Sequence, residues 1–178
     1  MAHFVLNRGA CTLSLMKRLI GLKHPRIAKS LYACRNMSNL EYLENAGRIY
    51  DFREEWVKYW RAQKLDFVIF PGFATEAFNH GSTKDGLLLA SYVFVLNLLG
   101  MVSCAQPITV TKETELTYES DWEDPVTELI RNNLKDAQGL PVGIQVVGLP
   151  FSEERVLGLS KRIERHFNFY KNNPLPNV

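Results

Sequence analysis

The sequence predicts an α/β fold, and three observations carry that prediction. Short apolar runs rich in β-prone residues recur at residues 65–71, 108–110 and 139–150. Stretches with helical periodicity separate and flank them, which is the alternation expected of strands covered by helices. The chain has 178 residues, 46% hydrophobic and 22% charged, enough for one domain with its own core. An amphipathic helix hairpin precedes this α/β part.

The first forty residues contain Arg8, Lys17, Arg18, Lys23, Arg26, Lys29 and Arg35, with neither Asp nor Glu among them. At about 100° per residue, Leu13, Leu15, Met16, Leu19, Ile20 and Leu22 occupy one half of a helical wheel over residues 13–23. Ser14, Lys17, Arg18 and Gly21 occupy the other half. Pro25 ends this helix. A second one, at residues 26–32, places Ile27 and Leu31 opposite Lys29. A basic hairpin with one apolar face suits the interface of a bilayer, but periodicity alone favours packing on the rest of the protein. A basic, acid-free start is also a feature of mitochondrial targeting peptides, but this one is poor in serine and interrupted by His24-Pro25. The membrane-surface reading ranks above targeting, and it makes Leu15, Met16, Leu19, Ile20 and Leu22 the membrane contacts.

Ser38-Asn39-Leu40-Glu41 is a capping box that opens a helix running to about Gln63. Leu43, Tyr50, Val57 and Trp60 recur on one face of it, and Phe52, Trp56 and Tyr59 widen the apolar arc, which predicts packing on two sides. Residues 65–71 read as a buried strand with both faces covered. Residues 72–86 form a loop. The uncharged stretch 87–105 has nearly the length of a membrane span. Asn97 and Gly100 interrupt it, so a buried helix to about Leu99, then an extended piece through Val110, is the more economical account.

Residues 112–124 are a polar, acidic surface loop. Asp124 before Pro125 marks a helix start, and that helix reaches about Ala137. The strand 139–150 follows, bracketed by two Gly-Leu-Pro triplets. Ser152, Glu153 and Glu154 then open a last helix that ends near Phe167. Residues 171–178 read as a flexible tail.

A net charge of +2 gives the chain no general attraction to nucleic acid. Cys11, Cys34 and Cys104 form no CxxC pair, which suits reduced thiols in an intracellular protein. Asn36-Met37-Ser38 has the form of a glycosylation sequon, a tripeptide common by chance. His3, His24, His80 and His166 have no metal-ligand spacing, and no serine sits in a Gly-x-Ser-x-Gly elbow. Phosphate-binding and dinucleotide-binding fingerprints are missing too. The residues alone therefore assign no catalytic group, metal or cofactor.

Gly139-Leu140-Pro141-Val142-Gly143-Ile144-Gln145, the strand 66–71, and the segment from Asn97 through Gly100 to Pro107 occur in this order and spacing in the amidase signature hydrolases, and the chain resembles that family over residues 11–168. The basic hairpin with its His24-Pro25-Arg26-Ile27-Ala28 step is similar to that of the fatty-acid-amide-hydrolase branch. The resemblance implies a single amidase domain of which residues 1–170 are the C-terminal part, with a membrane-associating hairpin at 11–35 and, at 38–168, an α/β core portion that is part of an α/β/α core with a mixed sheet. It implies peripheral or monotopic attachment to one membrane leaflet inside the cell. Catalysis in that family uses a Lys, a bridging Ser and a nucleophilic Ser in a Gly- and Ser-rich signature, which this sequence does not contain.

What the resemblance carries over is binding. It places Leu87, Ala90 and Phe94 on the channel that holds the acyl chain, with Ser30 and Cys34 contributed by the hairpin and Val126 by the helix after the acidic loop. The implied substrate is a fatty acyl amide, cleaved to fatty acid and amine by the complete enzyme, with no cofactor. The chain by itself is expected to be inactive. Uncovered sheet edges and apolar surface predict a homodimer or other self-association. Two other classes stand beside this reading. One is a non-catalytic, shortened lipid- or membrane-binding product. The other is part of a soluble amidase acting on small or tRNA-linked amides.

Overall fold

A computed structural model describes residues 18–25, 27–29 and 35–174. The chain divides into two compact units, Met1–Ala46 and Gly47–Val178. In the first, residues 18–23 and 27–29 are helical. The break falls at His24, as Pro25 dictates. The His24 carbonyl then accepts from the Ala28 N–H at 3.1 Å and starts the second ladder. Ala28 is buried. A Cβ added at Gly21 would lie 3.5 Å from the Ala28 side chain, so these two small residues let the segments approach. Ile20 is half-buried, and Leu19 and Leu22 are exposed. Leu15, Met16, Ser30 and Cys34 lie outside the described residues.

Helix α1, Asn39–Ala62, begins in the first unit and ends in the second. Its capping box is formed in full: the Glu41 N–H donates to Ser38 Oγ at 3.2 Å, and the Ser38 N–H donates to Glu41 Oε2 at 2.8 Å. Arg35 adds an ion pair to the same carboxylate at 3.0 Å. Packing on two sides is not realised. Only Trp60 is fully buried, while Leu43, Tyr50, Phe52 and Tyr59 are exposed.

The second unit is built on three antiparallel strands, β1 (Val68–Pro71), β2 (Val102–Val110) and β3 (Pro141–Gly148), in the order β1-β3-β2. Strand alternation splits the sheet into two faces. Val147 turns toward Trp60 of α1 and Leu96, and Val68, Phe70 and Met101 pack around this cluster. Gly148 turns the other way. A Cβ there would meet Val156 at 2.6 Å, which brings helix α4 (Glu153–Phe167) against the sheet. Helices thus cover both faces, and the α/β class is realised with the segments in the expected order.

Several elements differ in detail. Strand β1 is shorter than residues 65–71 and is not buried on both faces. It pairs only with β3 among the described strands, and Ile69, which faces away from the Trp60 cluster, is 58% exposed. The stretch 87–105 opens with a 3-10 turn, Leu87–Ala90, followed by α2, Ser91–Leu99. Gly100, at φ +65°, ends α2 in the left-handed conformation before β2 begins. No helix among the described residues is long and apolar enough to cross a membrane.

Helix α3, Pro125–Leu134, stops one turn before Ala137 and starts as expected, with Asp124 accepting from the Val126 and Thr127 N–H groups at 3.0 and 2.9 Å. Ser152 does not cap α4 with its side chain, because its hydroxyl donates to the Leu149 carbonyl instead. Asn168 ends α4 with φ +52°, and a one-turn helix α5, Phe169–Asn172, runs two residues into the segment read as a tail.

Candidate functional site

Where β1 leaves the sheet, two glycines allow three chain segments to touch. A Cβ on Gly143 would lie 2.9 Å from the Gln106 carbonyl oxygen, and one on Gly72 would lie 3.0 Å from the Gly143 oxygen. With hydrogen in place of a side chain at both, the Gly72 N–H donates to Gly143 O at 3.1 Å. The loop from Gly72 to Asn79 is therefore fastened to β3 at its root.

Three buried polar side chains fasten the rest of it. Gln145 sits in β3 among apolar neighbours; its amide donates to Pro71 O at 2.8 Å and its oxygen accepts from the Ser103 hydroxyl at 2.9 Å. Asn133 of α3 donates to Ala77 O and accepts from the Asn79 N–H, both at 3.1 Å. Thr111 donates weakly to Glu76 Oε1 at 3.4 Å. Phe73 and Phe78 meet edge to face with centroids 5.6 Å apart. Buried amides with both ends satisfied specify one loop conformation, because any alternative strands a polar atom.

The loop roofs a pocket of about 580 Å³. Its walls are Phe73, Ala74, Ala77 and Phe78 on the loop, with Pro141 and Val142 on β3. Thr75, Glu76 and Thr83 are the polar residues of its lining. The chemistry is that of a receptor with an apolar wall and a few polar groups.

A reacting centre is a different matter. Among the described residues, none of the side chains of His24, His80 and His166 hydrogen-bonds a serine or cysteine. The described residues hold no cluster of His, Cys, Asp and Glu fit for a metal ion. Cys104 carries a free thiol, half-buried. Among the described residues, the carboxyl of Glu41 is held clearly below its usual range. The Ser38 N–H lowers it first and Arg35 next, and its role is to cap α1.

The residues assigned to an acyl channel fall in two places. Leu87 and Phe94 lie on the 3-10 turn and α2 with 61% and 47% of their surfaces exposed, and Ala90 between them is half-buried. Leu98, one turn past Phe94, is exposed too and prolongs the apolar strip. Arg53 of α1 donates to the Leu98 carbonyl. Val126 is buried in the first turn of α3. None of Leu87, Ala90, Phe94 and Val126 lines the pocket under the 72–79 loop.

Sequence reasoning did not find Gln145, Asn133 or the Gly72–Gly143 contact. One signal was available for the first, a lone amide in an otherwise apolar strand. The partners of Asn133 lie more than fifty positions away in the chain, beyond the reach of any local pattern.

Comparison with known proteins adds a frame to this geometry. The family model described as Amidase matches residues 18–157. Fatty-acid amide hydrolase 1 of Sus scrofa is 30% identical over 145 residues, 79% of this chain and 25% of that protein. Fatty acid amide hydrolase 1 of Caenorhabditis elegans is 26% identical over 148 residues, 82% of this chain and 26% of that protein. An acetamidase of Emericella nidulans is 27% identical over 125 residues, 64% of this chain and 22% of that protein. The chain thus spans about a quarter of the length of these relatives.

Proposed function

The chain belongs to the amidase family, and we propose that the activity it serves is hydrolysis of long-chain fatty acid amides to a fatty acid and an amine. The observation that carries the reading is the exposed apolar strip of Leu87, Phe94 and Leu98. Side chains of this size leave a favourable burial of about 25 cal/mol per Å² unused, and an acyl chain laid along them would recover it. Two of the relatives are named for fatty acid amides. The acetamidase keeps small amides as the rival substrate class, but a small amide has no chain to cover that strip.

In the reaction, water cleaves the C–N bond; the acyl carbon gains the hydroxyl and the nitrogen gains the proton. The serine amidases that the sequence resembles divide this between a nucleophilic Ser, a bridging Ser and a Lys. These 178 residues contain no Gly-Gly-Ser-Ser run. The reading therefore gives this chain the binding of the acyl part and gives bond cleavage to groups outside it.

Two measurements test it. The purified chain, incubated with a fatty acyl amide, is expected to release no amine; turnover abolished by a serine-directed fluorophosphonate overturns that part. A fluorescent long-chain amide should bind the chain and acetamide should not compete. Loss of binding in Leu87→Asp and Phe94→Asp supports the strip, and unchanged binding in both refutes it.

A second reading, attachment to a membrane surface, is favoured by Leu19 and Leu22, which are exposed beside Arg18 and Lys23. The chain should float with anionic liposomes, and Leu19→Asp with Ile20→Asp should abolish flotation. Absence of flotation for the unmodified chain removes this reading.

A further inference from the structure

We propose that the cleft between β2 and the α4–α5 corner binds a small amphipathic monocarboxylic acid. The cleft holds about 440 Å³. It lies on the side of the sheet that carries Cys104 and Gln106, which pair with Val146 and Ile144 and share the face covered by α4.

Its polar groups lack partners in an unusual concentration. The Ser160 hydroxyl is buried without a hydrogen bond, and the residue is 5% exposed. A mid-helix serine ordinarily donates to the carbonyl one turn back or faces solvent; this one does neither. The Gln106 side-chain nitrogen, from the opposite wall, is likewise buried and unpartnered. Such groups are costly to leave unpaired, so two on one cleft point to a partner that is polar and accepts.

The charges agree. Lys161 and Glu164 stand at the rim, and among the described residues neither is held in an ion pair. The amide of Gln106, the hydroxyl of Ser160 and the ammonium of Lys161 outnumber the single carboxylate of Glu164. A donor-rich site of this kind suits one carboxylate group. Glu164 opposes a second one, which is why the site selects a monoacid.

The remaining lining is apolar, from Pro107, Leu157, Phe169 and the ring of Tyr170. A neighbouring cavity of about 420 Å³ shares Pro107, Phe169 and Tyr170 and reaches Ile144. An aromatic or aliphatic body has room to extend that way from a carboxylate held at Ser160 and Lys161.

Cys104 lines the cleft and reports on it. The full chain is alkylated with iodoacetamide, with and without 4-phenylbutyrate, and labelling at each cysteine is read by peptide mass mapping. Phenylbutyrate should slow labelling at Cys104 alone, and 4-phenylbutylamine should not. Lys161→Gln should raise the concentration for half-protection about tenfold, the loss of one charge-assisted contact, and Glu164→Gln should lower it. Both side chains are exposed, so neither variant threatens the fold. Protection that is absent at millimolar acid, equal with the amine, or unchanged in Lys161→Gln overturns the proposal and leaves the two buried groups to an internal water.

Discussion

The side-chain amide of Gln145 donates to the main-chain oxygen of Pro71 at 2.8 Å, and this one contact ties the middle of β3 to the exit of β1. The same side chain accepts from Ser103, so it links all three strands. Gln145→Leu keeps the volume and strands both partners. It should destabilise the chain by about 1–3 kcal/mol, the cost of leaving buried polar groups unpaired, read from the midpoint of urea unfolding. A change below the error of that midpoint would mean that water replaces the amide.

Glycine tolerance should divide sharply by position. Gly143→Ala drives a methyl against the Gln106 carbonyl, and backbone gives way poorly, so a loss of about 1–3 kcal/mol is expected. Gly158 in α4 has nothing within 4 Å of an added Cβ. There Ala should stabilise by about 0.5–1 kcal/mol through helix propensity. Thermal unfolding of the two variants should move in opposite directions.

Asp124 holds the start of α3, the helix that carries the Asn133 clamp near its other end. Asp124→Ala should cost about 1 kcal/mol. Asp124→Asn should recover much of that, since the amide oxygen accepts the same two N–H groups. Equal losses in the two variants would show that charge, and not capping, carries the effect.

The capping box of α1 sets a pH dependence. The folded carboxyl of Glu41 titrates below its ordinary value because the Ser38 N–H and Arg35 favour the charged form. A group lowered in the folded state contributes stability above its unfolded pKa and loses it as pH falls through the folded one. The first turn of α1 should therefore fray in acid below the ordinary glutamate range. A carboxyl chemical-shift titration of Glu41 checks this; a midpoint at or above that of an exposed glutamate refutes it.

Much of the fold was legible because the signals were local. The Ser38–Glu41 box, Asp124-Pro125 and Gly100 each fix one end of a helix by interactions within a few residues. The strand around Gly143 was legible for the same reason. The errors came where burial depends on neighbours. The aromatic residues of α1 have the spacing of a buried helix, yet Tyr50 and Tyr59 face outward. Ile69 has the composition of a core strand and sits on an outer one. The pocket under the 72–79 loop depends on pairs such as Asn133 with Ala77, which no periodicity reveals.

Both outer strands of the sheet carry a proline, Pro71 ending β1 and Pro107 inside β2 next to the register shift before Thr109. Each removes a donor from a row that another strand would need in order to zip on. Strand β1 also offers only four residues. The sheet is thereby poorly suited to templating growth of ordered aggregates, whichever edge is presented. Association between copies of the chain would run through the greasy side chains of Leu87, Phe94 and Leu98, and detergent should dissolve it where a β-paired assembly would resist.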